Sequence, residues 1–311
     1  MATDGAFPRD RELTSIAIAY KNPDVSLIAD AIFPRKPVGK LTFDWMKYPD
    51  EQQFTVPDTR IGERSTAYPT LELSGTKLTS KCEDNGLQAN ISNDDLSEAP
   101  KGIDPKAVMT EAVTNLVLLR REIECANLAF DAAQYAAANK VTLAGAGQWS
   151  DVTSSPLAVI RAALNSCLIR PNVFVIGQAV WDALAIHPKL VKAATGSDSG
   201  EGICTLERLA QLLEISEVVV GKAFVNTAKA GNAATMVRAW GKSALALYRD
   251  RSAAVNGGLT YGFTAQFGTR EAGAKPIDMG ARGGVAVRVQ ESTKPVIVAP
   301  GAAFLWTAAA A

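Results

Sequence analysis

Apolar and polar residues alternate in two runs in the first third of the chain. In residues 41–48 the apolar side chains of Leu41, Phe43 and Trp45 alternate with polar ones. A second alternating run covers residues 68–78, beyond a polar stretch rich in Asp, Gln, Arg and Pro. A period of two is typical of β-strands, so the pattern predicts a long hairpin with a polar tip. Because an isolated two-stranded hairpin is only marginally stable in water, we expect it to rest on a partner surface, either its own core or another chain.

The first 40 residues carry two short apolar runs that prolines interrupt. The runs cover residues 13–20 and 25–33, and they are broken by Pro23, Pro34 and Pro37. Proline fixes the backbone φ angle and has no N–H to donate, so this segment is predicted to be an extended arm with a single helical turn. Such an arm has too little apolar surface to fold alone. It either wraps its own domain or lies on a neighbouring subunit, and the sequence leaves both possibilities open.

Five acidic residues follow the hairpin and raise the question of a calcium site. Within residues 81–101 they are Glu83, Asp84, Asp94, Asp95 and Glu98. Their spacing does not match an EF-hand loop, in which a glycine and a distal glutamate have fixed positions. We therefore expect residues 81–101 to form a solvated loop that holds no metal.

The clearest element in the pattern is a long helix that begins after Asp104. Aspartate is a favourable N-cap, and the following Pro105 suits the first helical position. Apolar residues then recur every three or four positions, which predicts a buried stripe formed by Val108, Ala112, Leu116, Leu119, Ile123, Ala126, Phe130 and Ala133. The helix is predicted to run to about Ala138 and to be about 50 Å long. Arg120 and Arg121 are expected to pair with Glu124 along its surface.

Beyond Gly145 the pattern changes to alternating helices and strands. It predicts helices at residues 156–168 and 179–186 and after Thr205, and strands at 173–176, 218–220, 236–247, 259–267, 285–289 and 296–298. Residues 194–202 are rich in glycine and are expected to form a mobile loop. The final residues 308–311 carry no polar signal and are expected to fray.

Length and composition allow one large domain, or two smaller ones, with a sizeable core. The chain has 311 residues, of which 47% are hydrophobic and 21% are charged. Lys and Arg together number 32, as do Asp and Glu. This balance argues against a protein whose main task is to coat nucleic acid, because such binding needs a basic excess. No segment resembles a secretory signal or supplies the ~20 apolar residues of a membrane span, so we expect no membrane partner.

The chain offers few residues for catalysis. Its one histidine, His187, directly precedes Pro188, which predicts a position in a surface turn. The four cysteines have no C-x-x-C spacing and are expected to be free thiols: Cys82, Cys125, Cys167 and Cys204. The glycine clusters at residues 196–202 and 280–284 do not match a phosphate loop or a dinucleotide fingerprint. We therefore expect no catalytic residue, no cofactor and no metal.

Short stretches spread along nearly the whole chain carry a family resemblance. They are residues 79–87 (TSKCEDNGL), 118–122 (LLRRE), 126–131 (ANLAFD), 172–176 (NVFVI), 180–184 (VWDAL), 261–264 (YGFT), 287–291 (VRVQE) and 295–298 (PVIV). Each stretch alone is a weak signal. Their order resembles that of the major capsid proteins of tailed bacteriophages of the Hong Kong ninety-seven type.

The resemblance implies an α+β subunit with the phage major capsid protein fold. That fold has an N-terminal arm, an extended β-hairpin loop, a long spine helix, a peripheral domain and an α/β axial domain. Transferred to this chain, it implies an arm at residues 1–36, a hairpin at 37–81, a peripheral domain at 82–154 with the spine helix at 104–138, an axial domain at 155–250, and return strands of both domains at 251–311.

The resemblance also implies the function and the partners. The chain would self-assemble into hexamers and pentamers of an icosahedral shell that encloses double-stranded DNA without sequence specificity, with no catalysis. It would be assembled in the host cytoplasm, become part of the virion, and meet portal, decoration and scaffolding proteins. The scaffold would be a separate protein, since no long charged helical segment precedes the arm. Inter-subunit contacts are expected from the hairpin and the spine helix, at Phe43, Trp45, Tyr48, Phe54, Arg60, Arg64, Arg120, Arg121 and Glu124.

One feature of some relatives is missing from this chain. Those relatives cross-link covalently through a hairpin lysine and an asparagine in the peripheral domain. Lys47, Lys77 and Lys81 could supply the amine, but no asparagine follows Asn256. We therefore expect heads that are held together without covalent cross-links.

Two other hypotheses compete with the interpretation as a phage capsid protein. An encapsulin-like nanocompartment shell protein shares the fold and encloses cargo enzymes instead of DNA. A soluble α/β enzyme of unknown type would form small oligomers and never a shell.

Overall fold

The computed structural model describes residues 7–20, 27–47, 56, 76–196, 202–229, 231–250 and 259–311. Its helices are α1 Arg11–Ala19, α2 Ala29–Ile32, α3 Asn93–Ser97, α4 Pro105–Ala129, α5 Pro156–Ser166, α6 Gln178–Ala185, α7 Pro188–Thr195 and α8 Leu206–Leu213. Its strands are β1 Arg35–Val38, β2 Thr42–Lys47, β3 Thr76–Lys81, β4 Glu83–Ser92, β5 Lys140–Thr142, β6 Val173–Gly177, β7 Glu217–Gly221, β8 Phe224–Asn226, β9 Met236–Arg238, β10 Ala244–Leu247, β11 Gly262–Ile277, β12 Gly284–Ile297 and β13 Ala303–Thr307. The expected α+β class is confirmed.

A four-stranded sheet carries α1 and α4 on one face. Its strand order is β1-β11-β12-β4, and the long strands β11 and β12 form an antiparallel hairpin with a register shift between Phe267 and Glu271. Apolar side chains of α1, α4 and the sheet pack together at Leu13, Ala17, Val113, Ala272 and Val289. We call this unit the sheet domain.

A five-stranded sheet of order β5-β13-β10-β6-β7 forms the second unit. Strand β6 lies inside it and is buried along its whole length, because both of its faces are covered. Phe174 and Ile176 point into the core shared with helices α5 to α8, whereas Val173 and Val175 pack in the cluster that contains the end of α4. Alternate side chains of β6 therefore pack on opposite faces of the sheet, one set against the helices α5 to α8 and the other against the end of α4.

The acidic segment is a strand and not the solvated loop expected from its composition. Strand β4 pairs with β12 over ten residue pairs, from Glu83↔Thr293 to Ser92↔Gly284. Of its ten residues only Ile91 is buried, so the strand lies at a solvated edge and shows no alternation. Its polar sequence is tolerated because one partner strand and α4 supply the pairing and the cover.

The N-terminal arm has more helix than expected and lies on its own chain. Asp10 caps α1 by accepting hydrogen bonds from the backbone N–H groups of Glu12 and Leu13, and the helix has nine residues instead of a single turn. Leu13 and Ala17 are buried against the sheet domain. Of the two alternatives, the described part of the arm takes the intramolecular one.

The long helix starts where predicted and ends nine residues earlier than Ala138. It has 25 residues, so it is about 38 Å long. Asp104 caps its start, as expected. At its end the hydroxyl of Tyr135 donates to the carbonyl of Ala129, 2.6 Å away, and Asp131 caps a following 3-10 turn.

The face that α4 buries differs from the predicted apolar stripe, of which Ala126 is buried within the helix. Val108 and Leu116 are 55% and 53% exposed. The buried residues are Thr110, Val113, Thr114, Val117, Arg121, Glu122, Cys125, Ala126 and Ala129. Which face is buried depends on partners from other parts of the chain that bind the polar side chains. The local sequence pattern of the helix does not contain those partners.

Several shorter expectations also need correction. His187 is 2% exposed and does not lie in a surface turn. Ala309 and Ala310 are buried, and the N–H of Ala309 donates to the carbonyl of Lys242, 2.8 Å away, so the chain end is held and does not fray. The run 236–247 is two strands, the two runs 285–289 and 296–298 are the single strand β12, and α7 occupies the start of the expected loop 194–202. Residues 197–201 of that loop lie outside the described residues.

Candidate assembly surfaces

The stem of the predicted hairpin leaves the body as a sheet of two strands. Strands β2 and β3 pair antiparallel from Thr42↔Lys81 to Lys47↔Thr76, and among the described strands each pairs only with the other. The base is anchored by Phe43, which packs with Cys82, Phe263 and Val296. The first strand, predicted at residues 41–48, is observed as β2 and differs by one residue at each end.

Polar contacts hold the outer part of the stem together. The indole N–H of Trp45 donates to the Ser80 hydroxyl at 3.0 Å. Asp44 pairs with Lys77 at 2.7 Å and accepts a hydrogen bond from Thr79, and these two partners lower the pKa of Asp44. Cross-strand pairs of this kind add modestly to the stability of a two-stranded stem. Four of the expected contact residues, Tyr48, Phe54, Arg60 and Arg64, lie outside the described residues.

A buried carboxylate joins the arm, the long helix and the five-stranded unit. Glu122 is fully buried and accepts the backbone N–H groups of Ile28 and Ala29 at 2.8 and 2.9 Å. It also accepts the indole N–H of Trp240 at 2.6 Å. Burial raises the pKa of Glu122 against the opposing effect of these donors. Three parts of the chain that are distant in sequence thus meet at one side chain.

A chain of ion pairs surrounds the same junction. Arg121 and Arg35 contact Asp30 at 2.8 and 3.0 Å. Glu291 binds Arg35 and Arg270, each at 3.1 Å. Burial opposes ionisation of Asp30, but Arg121 and Arg35 outweigh it and lower the pKa of that carboxyl. Arg121 also donates to the carbonyl of Phe33 at 3.4 Å, so the network fixes the arm to the body.

The expected pairing of Arg120 and Arg121 with Glu124 is wrong. Arg121 turns inward to Asp30, and Glu124 lies 3.7 Å from the ammonium group of Lys294. Arg120 is exposed on α4. The junction residues Asp30, Glu122, Arg270 and Glu291 were missed, because their partners are up to 256 positions away in the sequence and no local spacing marks them.

The described residues offer few candidates for a metal site or a reactive thiol. They contain no cluster of three or more His, Cys, Asp or Glu side chains that could hold a metal ion. Burial raises the pKa of the Cys125 thiol to about 12 and that of Cys167 to about 11, so neither forms a thiolate at neutral pH. Ser154 and His187 lie 3.1 Å apart, and both are buried.

None of the helices in the described part of the chain combines the length and apolar character required to cross a bilayer.

Known proteins resemble this chain in sequence and in fold. The model of the family described as phage major capsid protein E matches residues 129–279. The major capsid protein of Pseudomonas phage JBD67 is 44% identical over 311 residues, which cover 99% of each chain. The crystal structure of a phage-related protein from Bordetella bronchiseptica RB50 has a TM-score of 0.77 at 24% identity and covers 98% of this chain and 99% of that chain. The capsid structure of Cyanophage P-SCSP1u has a TM-score of 0.57 at 11% identity, over 93% of this chain and 90% of that chain. At these identities the two structures show a shared fold.

Proposed function

This chain belongs to the phage major capsid proteins, and from that premise we propose that its copies form the hexamers and pentamers of a closed icosahedral head around double-stranded DNA. Self-assembly into a shell and a place in the virion capsid follow from the family itself. The family is structural and is not a class of enzymes. The finer statements about capsomers, DNA and assembly in the host cytoplasm are the proposal.

The observation that supports the proposal most directly is the hairpin stem. Residues 48–75 connect β2 to β3, and 28 residues are far more than a hairpin turn needs. The stem is a two-stranded ribbon whose outer half has mainly exposed side chains, with Met46 39% exposed. A ribbon of this kind gains stability when it lies on another surface. A neighbouring copy in a shell supplies such a surface at every position.

The division into domains also belongs to the proposal. The sheet domain corresponds to the peripheral domain with its spine helix α4, and the five-stranded unit corresponds to the axial domain. Burial within the subunit reduces the number of residues that we propose as inter-subunit contacts. Phe43 and Arg121 are buried within the subunit, whereas Trp45 and Arg120 remain accessible for a neighbour.

We expect the head to be held together without covalent bonds. The absence of asparagine after Asn256 removes the acceptor of the known lysine–asparagine cross-link. On a gel of mature particles boiled in denaturant, this chain should run as a single species at 32.9 kDa. A ladder of multiples of that mass would contradict this expectation.

DNA content separates the phage head from the encapsulin alternative. The alternative is less supported, since the relative that is 44% identical over the whole chain is a phage protein. Particles from phage-producing cells, treated with nuclease and then opened, should release long double-stranded DNA. Particles that contain protein cargo and no DNA would overturn the proposal. Portal, scaffolding and decoration proteins are the further partners we propose for such a head.

A further inference from the structure

The second hairpin of the subunit, β8–β9, is a short ribbon that leaves the five-stranded unit. Among the described strands, β8 and β9 pair only with each other, over three residue pairs. Beyond the strands, the N–H of Thr227 donates to the carbonyl of Thr235 at 2.9 Å, and the N–H of Asn232 donates to the carbonyl of Lys229 at 3.1 Å. The ribbon therefore reaches a tight turn at Lys229, about 16 Å from its start at Phe224.

The base of this hairpin is rigidly fixed, so its direction is set by the body. Ala223 and Trp240 flank the hairpin and are fully buried. The ring of Trp240 lies so close to Gly221 that a Cβ there would approach Trp240 to 2.2 Å. The N–H of Ala239 donates to the carbonyl of Ala223 at 2.9 Å. The ribbon is therefore presented in one defined position.

The stretch that contains the hairpin is the longest part of the chain without an acidic residue. Residues 218–249 hold five basic residues and no Asp or Glu. One of the five, Arg249, is buried and pairs with Glu217 at 2.6 Å. The other four lie in the hairpin or directly beside it, so no acidic residue nearby in the sequence balances their positive charge.

These four charges follow the ribbon from its base to its tip. At the base, the Arg238 guanidinium donates to the carbonyl of Lys222 at 2.7 Å and lies 3.7 Å from the ring centroid of Phe224. Lys242 follows four residues later, and Lys229 lies at the tip. The three lysines are exposed, and their ammonium groups bind no partner in the part of the chain that the structure describes. We call Lys222, Lys229, Arg238 and Lys242 the basic ribbon.

Duplex DNA fits the charge and the shape of this ribbon better than a second copy of the chain does. The major groove of B-DNA is about 12 Å wide and admits a two-stranded β-ribbon, with phosphates along both of its edges. Met236 and Val237, which are 57% and 46% exposed, would be covered in such a groove. A second copy offers less, because Glu214 and Glu217 of the five-stranded unit are already bound by arginines.

We propose that the basic ribbon is the surface through which the subunit contacts packaged double-stranded DNA, by binding its phosphates. The proposal deepens the proposed function and rests on it, because only a shell around DNA brings this polyanion to every copy. Lysine ammonium groups contact phosphates as point charges and carry no sequence information. Such a contact suits a shell that encloses DNA of any sequence.

The number of charges sets the expected strength of the contact. Four phosphate contacts give a slope of about −3.6 for the logarithm of the affinity against the logarithm of the salt concentration. The dissociation constant of one subunit should lie at about 10⁻⁴–10⁻⁶ M at physiological salt, as for other contacts that do not depend on sequence. The DNA is thus held loosely by each copy and contacted by many copies.

Removal of two charges tests this contact. Full-length, unassembled subunits are titrated onto a fluorescein-labelled duplex of about 30 base pairs, and fluorescence anisotropy is measured at several salt concentrations. The variant Lys222→Gln/Lys229→Gln should bind at least about tenfold more weakly, and its salt slope should fall to about −1.8. Lys222→Arg/Lys229→Arg keeps both charges and should bind like the wild-type chain. Lys101→Gln/Lys106→Gln removes the same charge at the start of α4 and should also bind like the wild-type chain.

The possible results distinguish the DNA contact from the proposed function. Wild-type subunits that do not bind the duplex, or a Lys101→Gln/Lys106→Gln control that loses as much binding as Lys222→Gln/Lys229→Gln, would overturn the contact and leave the proposed function intact. A Lys222→Gln/Lys229→Gln variant that binds DNA normally but no longer assembles would also overturn it, and would mark the ribbon as an interface between copies. Particles that hold no DNA would overturn the proposed function, and the contact with it. Circular dichroism checks that each variant is folded.

Discussion

At the scale of single residues, the subunit depends on polar groups that are buried and satisfied. Glu122 accepts three hydrogen bonds from the arm and from Trp240. The hydroxyls of Tyr135 and Tyr261 are 2.5 Å apart, and the Tyr135 hydroxyl donates to the carbonyl of Ala129. Buried donors that lose their acceptor cost free energy, whereas satisfied ones fix a single arrangement. These residues therefore set how the arm, helix and domains meet.

Replacing Glu122 should loosen this junction. The Glu122→Ala variant leaves three donors without an acceptor, so we expect the free energy of unfolding to fall by about 2–4 kcal/mol. Urea unfolding of unassembled subunits measures the change. Glu111 is exposed on the same helix, and Glu111→Ala should change stability by less than ~0.5 kcal/mol. Equal effects of the two variants would show that Glu122 does not hold the junction.

The buried histidine should make the five-stranded unit sensitive to acid. Burial lowers the pKa of His187 below its ordinary value near 6.5, and its Nε2 donates to the carbonyl of Asp151 at 3.1 Å. Between the lowered folded-state pKa and 6.5 the unfolded chain binds a proton that the folded chain does not. The stability from neutral His187 is thus present above pH 6.5 and is lost as the pH falls through that window.

Comparison of the wild-type chain with His187→Asn measures this contribution. In urea unfolding, the wild-type chain should lose more stability between pH 7.5 and pH 5 than the variant does. Parallel losses in the two chains would indicate that other groups cause the acid sensitivity.

At the scale of elements, the N-terminal segment crosses the open edge of β11. Asp10 donates its N–H to the carbonyl of Ala272 at 3.1 Å, and Thr14 exchanges hydrogen bonds with the same residue. Before that point Phe7 lies under the guanidinium of Arg288, 4.3 Å from the ring centroid. Gly273 permits this approach, because a Cβ there would come within 2.0 Å of the Pro8 carbonyl oxygen.

Adding that Cβ should release the segment. In Gly273→Ala the clash costs about 1–3 kcal/mol, so the detached form, and trypsin cleavage at Arg9 and Arg11, should rise about tenfold. A mass-spectrometric time course of cleavage in unassembled subunits measures the rate. Gly39 has no neighbour within 4 Å of its added Cβ, and Gly39→Ala serves as control. Unchanged cleavage in Gly273→Ala would contradict the docked position of residues 7–10.

Elements whose signals are local could be predicted from the sequence. Asp104 and Pro105 marked the start of α4 correctly, because capping is a contact over two or three residues. Thr205 likewise caps α8, the helix that was expected to follow it. The buried face of α4 could not be predicted, since its polar members Arg121 and Glu122 are buried only with partners from the arm and from Trp240. Strand β4 was missed because an edge strand covered on one side needs no alternating pattern.

At the scale of the whole molecule, the order of the elements along the chain was more informative about the fold than any single sequence motif. The arm, hairpin, long helix, α/β unit and final strands predicted the fold, although each stretch was weak alone. The exposed surfaces were harder to predict. Strand β9 lay inside a run that the pattern assigned to a single strand, 236–247, and no strand was predicted at the position of β8. Exposure is a tertiary property, so the local sequence did not reveal it.

The hairpin tip is the part of the chain whose removal best separates folding from assembly. Lys47 and Thr76 are the last paired residues of the stem. Replacing residues 48–75 by Asn-Gly would close it with a two-residue turn that suits antiparallel strands. The anchored base around Phe43 stays intact in this variant. We expect a subunit that folds with unchanged circular dichroism and does not form shells.

Negative-stain electron microscopy of the purified full-length chain beside this variant, paired with sedimentation, tests the central claim most directly. The full-length chain should form rings of five and six copies or closed shells, and the shortened chain should remain as single subunits. A full-length chain that stays a monomer or dimer at every protein concentration would contradict this claim.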